Sequence, residues 1–599
     1  METGNFWTSV TQNRINRRRL LRTGATVGAG AAALSLIGCG GSDSGGGGDS
    51  TGLLFEPVDT TNNAVKGGIF PSSSQDVANF NTINGADSTA AMRGYSRFVK
   101  WGVTMYPKPI ERKLDPDAMA SWEVSGDGLT WTWKIRPNMK FDPRPPTNGK
   151  ALTSADVLYS WENFEKLNPQ AATLANKVHA DGAVQTVTAP DASTVVMKLA
   201  FPYSPLAEML TYNRHLAILP TEANDKFDIR NAMFGTGPWR LKEFVPSARL
   251  EYVKNTDWYD ADKINVDGLS FFIIPEYSAE LAQFRAGAIG SMVVSPQDIL
   301  TTKRDKPQIL MLPETEYAQI QGWFRFSYLP DSPFLDERVR KAFSMLMDRN
   351  LIIEVFRGTK EFNDAGLETP TRWNSAIGAG NDPYWMDPLD EKKFGPEAKW
   401  YQHNPAEAKA LLRAAGHTQP IAAPYITTSY YGEAYLREGE VQRVMAEESG
   451  DFKLTAKDID YRTDFRVNVR YGFNKHEGVA WGSSGQDYPD IDGVLQAHYV
   501  PDKDRTGELD ATGKPDAKLG DLIRQQRVET DTEKRVTILQ DIQRYIASKM
   551  YRMLDAGDAL TFTLANPWIG NYGVYRAPSG GSEWTESYIH WWIDNSKKS

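Results

Sequence analysis

Hydrophobic and polar positions alternate most cleanly between residues 118 and 164. Trp131, Trp133 and Ile135 fall on one side of the chain, and Thr130, Thr132 and Lys134 on the other. A period of two predicts a strand with one buried face. A shorter alternating run at 121–124 precedes it. The intervening Ser125-Gly126-Asp127-Gly128 predicts a hairpin whose glycines can take positive φ. The period then changes. Thr153-Ser154-Ala155-Asp156 has the form of a capping box, and Val157, Leu158, Trp161 and Phe164 follow it at helical spacing.

The same reading extends along the chain. Residues 187–200 predict two short strands around an Asp-Ala-Ser turn, and 239–245 with 249–254 predict a hairpin. A helix is expected over 278–286, closed by Gly287. Val339, Ala342, Phe343 and Leu346 form a core-facing stripe in a helical region, 334–358, that Asp348-Arg349-Asn350 interrupts and Gly358 ends. Asn404-Pro405-Ala406-Glu407 opens another helix. Thr530 to Glu533 opens a further one, with Leu539, Ile542 and Ile546 buried. No repeat of fixed period is present.

The first 38 residues have a different pattern. Asn16-Arg17-Arg18-Arg19-Leu20-Leu21-Arg22 has the form of a twin-arginine export signal, with Arg17 and Arg18 as its pair. An apolar segment, 25–37, follows. It is too short to span a membrane, which takes about 20 residues, and suits a signal-peptide core. Leu36-Ile37-Gly38-Cys39 resembles a lipobox, and Cys39 is the sole cysteine. Lipidation of Cys39 is therefore expected, giving a membrane anchor. Residues 40–52, rich in Gly and Ser, predict a flexible tether with a reach of roughly 20 Å.

Composition narrows the function. The 599 residues exceed what one core organises, so several domains are expected. The formal charge is −9, and removing 1–38 makes the rest more acidic. Nucleic acid, which needs a basic surface, is not expected as a partner. One cysteine rules out an internal disulfide and a cysteine-rich metal site. The seven histidines lack zinc-motif spacing. Asp490-Ile491-Asp492-Gly493 hints at a calcium loop, but Tyr488 and Tyr499 stand at its first and last ligand places. Gly235-x-Gly237 is followed by neither a third glycine nor Gly-Lys-Ser/Thr, so no nucleotide site is read there. No catalytic residue, metal or cofactor is expected.

The organising stretch also resembles a known family. Ser121-Trp122-Glu123, Asp127-Gly128, Trp131, Arg136, Lys140-Phe141 and Thr153 to Val157 stand where family 5 solute-binding proteins of ABC importers carry their marker block. Gly235-Thr236-Gly237-Pro238-Trp239 and the 334–358 region match further blocks. Asn138 replaces a usual Gly, and 143–146 replaces a short turn. The resemblance implies an α/β, two-lobed periplasmic-binding-protein fold of the large, three-domain, peptide-binding type with a central interlobe cleft. Residues 1–38 would be the signal peptide, and 39–52 the lipidated Cys and linker. Lobe one would comprise 53–105, 230–318 and 555–599. A small β-rich domain, 106–229, would be inserted, and lobe two would be 319–554.

The resemblance also implies a site. Trp481-Gly482-Ser483-Ser484-Gly485-Gln486-Asp487-Tyr488-Pro489 is similar to the family's pocket segment, with three residues more between Trp and Asp. By that match Asp487 would pair with a peptide's ammonium group, and Trp481 and Tyr488 would line the pocket, with Trp323 a further aromatic candidate. The expected role is an extracytoplasmic, lipid-anchored, monomeric receptor. It would capture a peptide or similar small solute and pass it to an ABC permease driven by an ATPase. Two other readings are a carboxylate-dependent extracytoplasmic hydrolase and a sensor-type or chaperone-like binding module on the same fold. Solute turnover separates the first from a receptor, and the absence of a transport defect separates the second.

Overall fold

A computed structural model describes residues 51–77, 79–83, 88–212, 214–318, 322–470, 475–483, 488–500, 508–509, 514–578 and 583–598. The expectations for Arg17, Arg18, Cys39 and Asp487 lie outside these residues. Among the described residues no helix is long and apolar enough to cross a membrane.

The opening hairpin forms from strands Met119–Val124 and Thr130–Ile135. Trp133 is fully buried and Trp131 and Ile135 nearly so. The turn takes positive φ at Gly128 (72°) but not at Gly126. Asp127 explains why one glycine suffices: its Oδ1 accepts from the Leu129 amide at 3.0 Å and from the Ser125 hydroxyl at 2.5 Å, bracing the turn. Strands Thr194–Leu199 and Val184–Asp191 complete an antiparallel four-stranded sheet. Helix Ser154–Leu167 has the predicted capping box, and its Val157, Trp161 and Phe164 join Trp131 and Trp133 in one core.

A second sheet holds strands Ile69–Ser74, Gly268–Ile273, Arg249–Lys254 and Trp239–Val245. The first two are parallel, and the rest pair antiparallel. Beyond its first strand, the Gly290 amide donates to Pro71 O at 3.0 Å and Ser291 bridges Ala565. The core beneath is assembled from distant segments: Phe70 lies 5.4 Å from Trp568, 5.4 Å from Trp591 and 5.5 Å from Tyr588.

The third sheet is five-stranded and mixed. Its order is Phe452–Asp458, Ile421–Thr427, Val479–Ser483, Gly322–Phe326, Arg552–Leu554. Alternation gives it two different faces. Phe324, Phe326, Tyr425 and Trp481 meet helix Glu337–Met345 on one, while Trp323, Ile426, Ala480 and Leu554 meet Phe465 and Val469 on the other. The 337–345 helix stops where predicted. Asp348 caps a new helix, Arg349–Arg357, by accepting from the Leu351 amide, and Gly358 ends it at φ 63°. The last long helix, Thr532–Lys549, is capped by Asp531 rather than Thr530, because the carboxylate reaches both the Glu533 and Lys534 amides.

Two antiparallel crossings join the second and third sheets. Leu310–Pro313 pairs with Phe562–Ala565 on one side, and 322–326 pairs with 552–554 on the other. The connections between them are stitched together by side chains. Asp555 Oδ2 accepts from the Gly322 amide at 2.7 Å, and Asp558 Oδ2 from the Ala318 amide at 2.6 Å.

Candidate functional site

The 479–483 strand leads to the segment on which the sequence places its candidates. Trp481 is 1% exposed. Its ring is seated between two glycines: a Cβ on Gly322 would come within 2.2 Å of it, and one on Gly439 within 2.4 Å. Its Nε1 donates to Tyr435 O at 2.7 Å, and Phe324 lies 4.8 Å away. Trp323 is equally buried but on the opposite face, since it pairs in register with Gly482 while Phe324 pairs with Trp481. Trp323 stacks on Phe465 at 6.1 Å, and the guanidinium carbons of Arg325 and Arg552 lie 5.0 and 5.5 Å from its centroid. The two indoles therefore do not meet.

Tyr488 leaves the third sheet's surroundings altogether. Its ring lies 5.2 Å from Tyr212 and 6.0 Å from His215, in the core of the first sheet's region. The His215 imidazole, enclosed there, has its pKa pushed down to about 4 by burial. The described residues on either side of Asp487 thus belong to different bodies, Ser483 to a central strand of one and Tyr488 to the core of another.

A buried charged seam continues from there. Arg112 donates to Pro489 O at 2.8 Å. Asp490 caps helix Ile491–Tyr499 through the Asp492 amide and pairs with Arg535, two bonds of 2.9 and 2.5 Å. Asp492 lies 3.1 Å from Arg527 Nε and accepts from the Tyr203 hydroxyl at 2.7 Å. Arg527 also donates to the Asp181 and Thr173 carbonyls. The Asp490-x-Asp492 pattern that hints at calcium is in fact a pair of arginine partners. Its two carboxylates receive cations from the chain itself.

Burial works to raise the Asp490 pKa, but Arg535, the hydrogen bonds and the Arg112 charge outweigh it and hold the carboxyl below its usual range. At Asp492 burial prevails over Arg527 and the pKa rises. Glu208 is pushed up to about 7, by burial first and then by the neighbouring Asp490 charge.

A second cluster sits at the crossings. Asp558 pairs with Arg357 at 2.6 Å, and Asn374 donates to Asp555. Half-buried Glu438 is pushed up to about 7 by burial, with Arg357 opposing and Asp558 reinforcing. Asp555 moves well above the usual carboxylate range, by burial and then by Glu438. Sequence reasoning missed both clusters. Their members are scattered from residue 112 to 558, and no local spacing marks them.

Comparison with known proteins agrees with this architecture. Residues 113–505 match the family described as bacterial extracellular solute-binding proteins, family 5. The dipeptide-binding protein of Escherichia coli is 23% identical, over 60% of this chain and 69% of that protein. Di/tripeptide-binding protein 1 of Pseudomonas aeruginosa is 24% identical, over 73% of this chain and 79% of that protein. The structure of the periplasmic binding protein DppA from Helicobacter pylori, in complex with the peptide STSA, superposes with a TM-score of 0.70 at 16% identity. It covers 90% of this chain and 100% of that one. Members of this family bind substrates and are not enzymes. The chain belongs to family 5 of the bacterial extracellular solute-binding proteins.

Proposed function

We propose that this protein is the peptide receptor of an ABC importer, held at a membrane by lipid on Cys39. The family and its peptide-binding relatives support the receptor role. The observation that carries it is the course of the chain around Asp487: Ser483 ends a strand of the five-stranded sheet, and Tyr488 packs on Tyr212. A solute held there would touch both bodies and favour the state in which they are close.

In this reading 53–105, 230–318 and 555–599 form lobe one, 106–229 is the inserted domain, and 319–554 is lobe two. The crossings that follow Pro313 and Leu554 are the hinge. Asp487 receives the ammonium group of the peptide. Pairing with that group discriminates against solutes that lack the charge.

Mass spectrometry of solute copurifying with the full chain tests the proposal. Intact peptides are expected; release of a chemically altered solute would replace the receptor by an enzyme. Asp487→Ala should weaken binding of a free-amine peptide at least tenfold in calorimetry. Unchanged affinity would remove Asp487 from the site. The N-terminal reading is tested separately. Cys39→Ala should release the protein from membranes, and Arg17→Lys with Arg18→Lys should block export.

A further inference from the structure

The parallel strands 421–427, 452–458 and 479–483 end on the same side of the five-stranded sheet. Ser483 pairs there with Gly322, whose carbonyl accepts from the Asp555 amide at 2.9 Å, so this is also the side where the chain crosses to and from the second sheet. Open α/β sheets bind ligands outside the carboxyl ends of their strands. The segments that leave this side are rich in rings: Tyr430 and Tyr431 follow the first strand, and Tyr461 and Phe465 the second.

Four rings stand in series. Trp323 stacks on Phe465, Phe465 on Tyr461 at 6.2 Å, and Tyr461 on Tyr430 at 3.9 Å with planes 7° apart. The inner end is fitted to the strand that leads toward Asp487: a Cβ on Gly482 would come within 2.8 Å of Trp323 and 2.9 Å of Phe465. Tyr431 meets Tyr430, Tyr461 and Phe465 edge-on at 5.7, 5.6 and 5.8 Å. The Tyr461 hydroxyl accepts from Arg470 at 2.7 Å. Yet the outermost ring, Tyr430, is 61% exposed. It is backed on one face and open on the other. A further flat ring would continue the stack. A sugar would need polar partners around the platform, and the neighbouring acids are engaged by their own loops: Asp458 accepts from the Ser429 amide, and Asp460 from the Arg462 and Thr463 amides.

We propose that Tyr430 is a stacking platform for an aromatic side chain of the captured peptide, held rigid by Tyr461, Tyr431 and Phe465. The assignment rests on the receptor reading above and narrows its solute class to peptides that carry a flat ring. Such a wall is ordered before the solute arrives, so little freedom is lost when a ring settles on it.

Calorimetry on the full chain tests it, with trialanine, the three tripeptides in which one Ala is replaced by Phe, and their cyclohexylalanine counterparts, alongside indole titrated by ligand-observed magnetic resonance. At least one Phe peptide should bind about tenfold tighter than trialanine, and at least about twofold tighter than its cyclohexyl counterpart, which has the bulk but no π face. Tyr430→Ala should bring both ratios close to one, and Tyr430→Phe should keep them. Tyr430 is exposed, so neither variant removes a core side chain. Equal affinity for trialanine and the Phe peptides in the native chain, a cyclohexyl peptide that binds as well as its Phe counterpart, or a preference that survives in Tyr430→Ala overturns the platform and leaves the receptor reading intact. If no peptide binds but indole binds in a Tyr430-dependent way, the peptide reading fails and the platform stands. If indole binding is absent or indifferent to Tyr430 as well, both fail.

Discussion

The seam around Asp490 and the crossing around Asp555 are built from the same residue types with opposite balance. At the seam three carboxylates, Asp490, Asp492 and Glu208, face three guanidiniums, Arg112, Arg527 and Arg535. At the crossing Glu438, Asp555 and Asp558 share Arg357. Both clusters are enclosed, so desolvation opposes charge in each. Only Asp490, beside Arg535 and Arg112, is held below the usual carboxylate range; Asp492 and Glu208 next to it are raised, as Glu438 and Asp555 are at the crossing. The seam adds a fully paired Asp490 to one raised group near 7, Glu208, whereas the crossing has a single guanidinium for Glu438, Asp555 and Asp558.

Removing a cation from the balanced cluster should have the largest effect. Arg535→Ala leaves Asp490 enclosed without its partner and should cost about 3–5 kcal/mol in urea unfolding. Combining Arg535→Met with Asp490→Asn should recover most of that loss. A single variant as stable as the native chain would show that the seam is not held by this pair.

The unbalanced cluster predicts a pH dependence. Folded Glu438 titrates near 7 instead of its ordinary 4.5, so the folded state binds more protons than the unfolded state between those values. Its contribution is complete below about pH 4.5 and is lost as the pH rises through 7. Glu438→Gln should therefore raise stability at pH 8 by about 2 kcal/mol and flatten the fall between pH 5 and 8. Glu208→Gln should remove a separate share, from the seam. A pH profile unchanged by Glu438→Gln would refute the contrast between the clusters.

The smallest expected effect is that of Tyr203→Phe. It removes one hydrogen bond to Asp492 but leaves Arg527 in place, and should cost about 1 kcal/mol. A loss several times larger would mean that the tyrosine, not the arginine, dominates that carboxylate.

Much of the local structure was legible in the sequence, because it depends on near neighbours. The tryptophan hairpin, the Thr153 capping box, the Asp348 break and the Gly358 stop follow from period and cap chemistry. The two-lobed organisation was legible only through the resemblance. The site was less so. Trp481 and Trp323 read as similar aromatic candidates, but strand register separates them to opposite faces. The seating of Trp481 against Gly322 and Gly439 depends on segments 159 and 42 residues away. Arg93 follows a short alanine-containing helical stretch and carries no local sign that it will be buried.

The meeting of Phe70 with Trp568, Tyr588 and Trp591 has a consequence for biosynthesis. The first core strand must wait, as a nascent chain, until almost 500 further residues have left the ribosome before its aromatic lid can arrive. During that interval its apolar surface is a target for chaperones. A ribosome stalled before residue 560 should therefore display this region as protease-sensitive while the Trp133 hairpin and its helix already resist digestion.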